Sequence, residues 1–181
     1  MCKINWFYNL ISNKKCVTNR KELEQQKKEL IFMFVGNCPS KKINISSKHF
    51  EDYGIGKYDY KKLKNKILMV TGLIKNNNYI YNNTDFKNLI ETFYETKNEC
   101  IMFKKNGIGE IESLYICIRN SFAHGNFFVL NEKRKKEKFD KNNYKYFLWN
   151  ESSRENISSF MILTYGHLQS IFNALNFLTE K

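Results

Sequence analysis

Arg119, Asn120 and His124 fall within one short string, Arg-Asn-Ser-Phe-Ala-His, which Gly125 follows at once. A guanidinium is a permanently charged planar fork that matches two phosphate oxygens. An imidazole takes and gives protons near neutral pH without help from a metal. Together these groups could hold a phosphate and move a proton near neutral pH. The same residues also describe an ordinary helix end, with His124 beside the last carbonyls and Arg119 paired with a carboxylate such as Glu112.

The element that must position them is a helix. Ile108, Ile111, Tyr115, Ile118 and Phe122 recur at steps of three and four, which predicts an amphipathic helix ending on His124, with Gly125 in a left-handed cap. On an ideal helix the step from Arg119 to His124 turns through about 140° and rises about 7.5 Å, so the two side chains do not share a face. Asn120 and His124 do share one, together with Ser113 and Cys117. That small polar face is expected to line a groove or meet a partner helix.

The rest of the chain reads as a scaffold for this helix. A first helix runs from Lys21 to Val35 after an Asn19 cap, with Leu23, Leu30, Ile31 and Phe34 on one face, and stops at Asn37 and Pro39. Ser40 to Lys57 reads as loop. Tyr60, Leu63, Ile67, Val70 and Ile74 predict a helix over Asp59–Ile74, which the Asn-rich segment Asn76–Asn83 ends. Thr84 caps a helix carrying Phe86, Leu89, Ile90 and Phe93, continued through Cys100 and Ile101 to about Lys105. Phe127–Leu130 and Tyr144–Trp149 are β-prone runs joined by a basic stretch, which suggests a hairpin. From Ser152 or Ser153, with Glu155 in the first turn, a final helix carries Phe160, Leu163, Leu168, Ile171, Leu175 and Leu178. The expected fold class is all-α, a helical bundle with a short β-hairpin inserted before the C-terminal helix. It forms a single domain over 1–181, with 1–18 as a peripheral N-terminal segment.

The string Arg119-Asn120-Ser121-Phe122-Ala123-His124-Gly125 resembles the signature of the HEPN superfamily, in which Arg is usually followed by a polar residue and then, after about four to six positions, by His. In that family the string also closes a bundle helix. The resemblance covers the helices from about Asn19 onward, and its sequence-specific part is Ile118 to Phe128. It implies a metal-independent endoribonuclease of the toxin or anti-phage kind, commonly a homodimer in which the motifs of two subunits meet across one cleft. Its catalytic residues would be Arg119, Asn120 and His124, and its product a 2′,3′-cyclic phosphate. Some members carry a Tyr two residues after the His, the acceptor for silencing by a partner nucleotidyltransferase; Asn126 stands there, so that form of silencing is not expected. An antitoxin or regulatory partner stays open. The alternatives are a non-catalytic RNA- or nucleotide-binding module and a structural, partner-binding bundle.

Composition sets the outer limits. A chain of 181 residues that is 42% hydrophobic can bury one sizeable core. The formal net charge of +12 favours polyanions such as RNA. The excess is mostly Lys in a chain also crowded with Asn and Ile, which an AT-rich genome would produce unaided. Lys133, Arg134, Lys135, Lys136 and Lys138 lie shortly after His124, diluted by Glu132, Glu137 and Asp140. They are either RNA-gripping or a solvated turn. His167, four residues from both Leu163 and Ile171, is expected to be a packed, hydrogen-bonded histidine, and His49 an exposed one. Tyr115, Phe122, Phe127, Phe128 and Trp149 have core spacing. The five cysteines lack metal-ligand spacing and are expected as reduced thiols, with no metal and no cofactor. No apolar run approaches the roughly 20 residues that a membrane-spanning helix needs, and Ile4–Ile11 is a poor leader, so a cytoplasmic location is expected.

Overall fold

A computed structural model describes residues 5–12, 21–37, 50–73, 78–104, 109–131, 144–152 and 156–176. In chain order these form α1 (Asn5–Ser12), α2 (Lys21–Ile31), α3 (Tyr60–Thr71), β1 (Tyr79–Tyr81), α4 (Phe86–Thr96), β2 (Cys100–Phe103), α5 (Glu110–Ala123), β3 (Phe127–Asn131), β4 (Tyr144–Glu151), β5 (Ile157–Thr164) and α6 (Tyr165–Asn173). The strands make one five-stranded mixed sheet in the order β1-β2-β5-β4-β3. Only β1 and β2 are parallel. The chain is therefore α/β, and the expected all-α bundle is overturned.

The sheet has a helical layer on each face, and alternation along every strand divides the side chains between two cores. Ile101, Phe103, Tyr146, Leu148, Met161 and Leu163 point to the side of α2, α3, α5 and α6. Cys100, Met102, Phe147, Trp149, Phe160 and Ile162 point to the side of α1 and α4. Phe7 of α1 is fully buried and meets Trp149 and Phe160 with ring centroids 5.6 and 6.1 Å apart, so residues 5–12 belong to the second core.

Burial on both faces explains the largest departures from the sequence reading. A strand covered on one side alternates apolar and polar residues; a strand covered on both is apolar throughout, and a helical stripe can be drawn through it. The apolar stripe extends a helix through Cys100 and Ile101 to about Lys105, but that helix stops at Thr96, where Lys97 takes a left-handed φ of 54°, and Cys100-Ile101-Met102-Phe103 form β2. The sequence pattern puts Phe160 and Leu163 on the last helix with Leu168 and Ile171. The first two instead lie on opposite faces of β5, and Thr164 caps a shorter helix, its Oγ1 accepting from the His167 N–H at 3.1 Å. The Asn-rich segment also hides β1. The hairpin is present: β3 pairs antiparallel with β4, from Phe127↔Leu148 to Asn131↔Tyr144, as one edge of the sheet rather than an appendage. The first helix turns at Phe32 into a widened π-helical turn, Phe32–Gly36.

At the sheet end where β4 begins and β5 stops, Lys145 reaches Glu99 at 3.1 Å and the Lys97 carbonyl at 2.7 Å. His167 stands nearby, half-buried, and its ring Nδ1 has no hydrogen-bond partner, unlike the hydrogen-bonded ring expected. Burial holds the imidazole below its ordinary range, against the pull of the Glu99 carboxylate, and Lys145 adds to the lowering. The unfolded chain thus takes up the proton more readily than the folded one. Stability from this group is fully present above about pH 6.5 and is lost as pH falls from there through the folded value. Urea midpoints measured at about pH 7.5 and 5.5 should differ less in His167→Asn than in the natural protein. An equal loss in both would assign the pH dependence to other groups.

Candidate active site

The helix that carries the Arg-Asn…His string is fixed at both ends. At its start the Gly109 N–H donates to Glu112 Oε2 at 2.9 Å, the half of a capping box that a residue without a side chain allows. Tyr60 donates to the other Glu112 oxygen at 3.0 Å, and Lys64 pairs with Glu110 at 2.7 Å. Burial and the Glu112 carboxylate both push the Tyr60 hydroxyl well above its usual range, so it stays a donor.

At its end His124 is the C-cap, as the apolar repeat predicts, and Gly125 has φ +68°. The Asn126 N–H returns to the Ser121 carbonyl at 2.8 Å and the Gly125 N–H to the Phe122 carbonyl at 3.3 Å, the paired bonds of a Schellman close. A Cβ on Gly125 would touch nothing within 4 Å, so the left-handed backbone alone sets the cost of a side chain there. Gly125→Ala should cost about 1 kcal/mol, roughly 2–4 °C in melting temperature for a chain of this size, and Gly125→Asn less.

Below this end lies a polar cluster that sequence reasoning missed. Asn150, at the end of β4, shares its amide N–H groups among the Cys117 carbonyl (2.6 Å), Ser121 Oγ (3.0 Å) and Ser159 Oγ (2.9 Å). The Ser121 hydroxyl in turn has the Trp149 and Cys117 carbonyls as acceptors, at 2.9 and 3.0 Å. The Trp149 N–H donates to the Asn126 carbonyl at 3.1 Å. The last turn of α5 and the residue after its glycine are thereby bonded to β4. Asn150 closes a run of strand-formers, and its type gave no sign of burial. On the other side Phe34 of the π-helical turn stacks on Phe122, with centroids 5.7 Å apart and planes 17° apart.

Arg119 is half-buried, and its Nε is buried without a hydrogen-bond partner. It does not pair with Glu112, whose two oxygens are taken by Gly109 and Tyr60. Asn120 is half-buried, and its carbonyl accepts the His124 N–H at 3.0 Å; the His124 side chain is exposed. Ser113 and Cys117 do not line a groove with them: both are buried beneath the helix, and Cys117 belongs to the core. The small polar face therefore packs inward for most of its length and opens only at Asn120 and His124. Helix phase keeps Arg119 and His124 on different sides within one copy of the chain.

Lys133, Arg134, Lys135, Lys136 and Lys138 lie outside the described residues, as do His49, Cys2, Cys16 and Cys38. Tyr115, Phe122 and Trp149 are buried, and Phe127 and Phe128 half-buried. Cys100 and Cys117 are buried and in no disulfide, and burial pushes the Cys100 thiol up. Among the described residues no three His, Cys, Asp or Glu side chains group as metal ligands, and no helix is long and apolar enough to cross a membrane. Comparison with known proteins finds no matching family model, no matching curated protein and no matching solved structure.

Proposed function

We propose that this chain acts on RNA as a metal-independent endoribonuclease, with His124 moving protons and Arg119 holding the phosphate. The observation that carries the reading is Arg119, a half-buried side chain whose Nε has no hydrogen-bond partner. A guanidinium whose Nε is buried and without a partner, just over one turn before an exposed histidine at a rigidly tied helix end, is poised for an anion. In the proposed step His124 takes the 2′-hydroxyl proton as that oxygen attacks the adjacent phosphorus. The bond to the 5′-oxygen breaks, and a second His124 or water protonates it. The products are a 2′,3′-cyclic phosphate and a 5′-hydroxyl.

Because the two side chains diverge within one copy, the complete site is a homodimer's, with one motif from each subunit. The likeness to the HEPN signature supports this through the string and its helix-end setting; the bundle it implied is not the fold. A toxin or anti-phage setting rests on the likeness alone, and a cytoplasmic one on the sequence's lack of a long apolar run and on Ile4–Ile11 being a poor leader. Total RNA incubated with purified protein in EDTA should yield fragments ending in cyclic phosphate, and intact RNA would count against catalysis. The same divergence favours a second reading, RNA binding without cleavage, in which labelled RNA is retained but not cut.

A further inference from the structure

We propose that the exposed face at the start of α3, with Lys57, Lys61 and Lys62, binds phosphates of the same RNA strand that Arg119 holds, an inference that rests on the RNA reading above. Residues 57–66 contain five Lys and a single Asp, whereas the other described residues contain eight Lys or Arg against twelve Asp or Glu. Among the described residues, positive charge is thus gathered on this one segment. Lys57, Lys61 and Lys62 are exposed, and the carboxylate among them, Asp59, lies 3.5 Å from Lys62, whose side chain stays 62% exposed. Glu51 and Asp52, on the short turn Phe50–Tyr53, are the next acids before them in the chain.

Contacts tie this end of α3 to the candidate site. Tyr60 meets Glu112 at 3.0 Å and Lys64 meets Glu110 at 2.7 Å, so moving back along α3 toward Lys57 follows α5 toward Arg119. Lys61, three residues before Lys64, borders the same side of α3. The Phe50 ring meets those of Tyr60 and Tyr115 with centroids 5.5 and 5.6 Å apart, which sets the start of α3 beside the middle of α5, about one turn before Arg119. From Glu112 to Arg119 the helix rises about 10.5 Å and comes within about 20° of two full turns, so both lie on one stripe with Ile116 and Ala123. That stripe is left open by an otherwise buried helix, and α3 flanks its beginning.

A phosphate backbone fits this face better than a lipid surface or a protein. A helix that lies on a membrane sets a strongly apolar face beside its charges. α3 spends Leu63, Ile67 and Leu68 on the core and leaves Met69 as its one exposed large apolar side chain. A stable protein interface likewise needs an apolar centre inside its polar rim. Exposed lysines that lead toward a guanidinium match a chain of phosphates instead.

The test uses the full chain and a fluorescent 2′-O-methyl oligonucleotide of about 12 nucleotides, which lacks the attacking hydroxyl. Its affinity is measured from about 50 to 200 mM salt for the natural protein, a Lys57→Gln, Lys61→Gln, Lys62→Gln triple variant, a charge-matched Lys21→Gln, Lys28→Gln, Lys87→Gln control, and Arg119→Ala. The α3 triple should bind about tenfold or more weakly and lose about 2 from its salt slope, at roughly 0.7 for each phosphate contact removed. The control should keep the natural slope, and Arg119→Ala should bind more weakly than the natural protein. Both lysine variants should melt with the natural protein, since each changed residue is exposed. Equal losses in the triple and the control would assign the effect to net charge and overturn the proposal. Natural affinity in the triple also overturns it, and leaves the RNA reading standing if Arg119→Ala is still weakened. A loss in the triple with Arg119→Ala unchanged overturns the shared strand. Capture of phosphatidylserine vesicles that the triple abolishes, with RNA binding intact, overturns the proposal in favour of a membrane surface. Failure of the natural protein to bind the strand overturns both readings.

Discussion

Replacing His124 by Ala is expected to slow RNA cleavage by at least about 100-fold while leaving the protein folded. A positioned general acid or base contributes roughly 10²–10⁴ in rate, and no other histidine among the described residues is exposed at this helix end. The substitution is mild for the fold. The His124 side chain is exposed, and its contact with Asn120 is made by the backbone N–H, which Ala keeps. Its effect on stability should stay within about 0.5 kcal/mol. The check pairs a cleavage time course in EDTA with a thermal melt of the same preparation. A variant that melts normally and still cuts at the natural rate would remove His124 from the chemistry.

Asn150→Ala is expected to be the most damaging change for stability at the site, lowering the melting temperature by roughly 6–12 °C for a cost of about 3 kcal/mol. Asn150 is 7% exposed and Ser121 and Ser159 are each 1% exposed, so water does not replace the lost amide. The Cys117 carbonyl and two hydroxyls lose their donor, while the Ser121 hydroxyl can still serve one carbonyl, which keeps the total below three full losses. Asn150→Asp should be at least as harmful. It keeps the shape but turns the donor into a buried acceptor that faces a carbonyl oxygen. A milder effect for Asp than for Ala would show that the amide is not the link between α5 and β4. Because this cluster secures the helix end, cleavage by a partly stabilised Asn150→Ala protein should fall as well.

What could be read without the fold was whatever repeats locally. The three-four stripe from Ile111 to Phe122 defined α5, and Gly125 marked its end, because a helix buries one face and a left-handed cap favours glycine. The strand-forming runs of β3 and β4, joined through a basic segment, gave the hairpin. The chemistry of the string also needed no fold, since guanidinium, amide and imidazole bring their properties with them. Local pattern failed where an element is covered on both sides. In β2, and in β5 from Phe160 to Leu163, neither face is polar, the period vanishes, and a bundle helix fits the letters as well as a central strand does.

Tertiary structure alone decided the rest, because it depends on residues far apart in the chain. Asn150 is 29 positions from Ser121, yet it fixes the helix end. Ser113 and Cys117 shared a helix face with Asn120 by phase, and only the sheet beneath decided that they are core rather than groove. Glu112 is a plausible partner for Arg119 by spacing, but Tyr60, 52 positions away, takes one of its oxygens, and the Arg119 Nε has no hydrogen-bond partner. The sequence by itself thus determined which groups are available and where α5 ends. The packing of α5 against β4 and the π-helical turn determined which of those groups are spent on the fold and which remain open, because burial and hydrogen bonding are settled by neighbours in space.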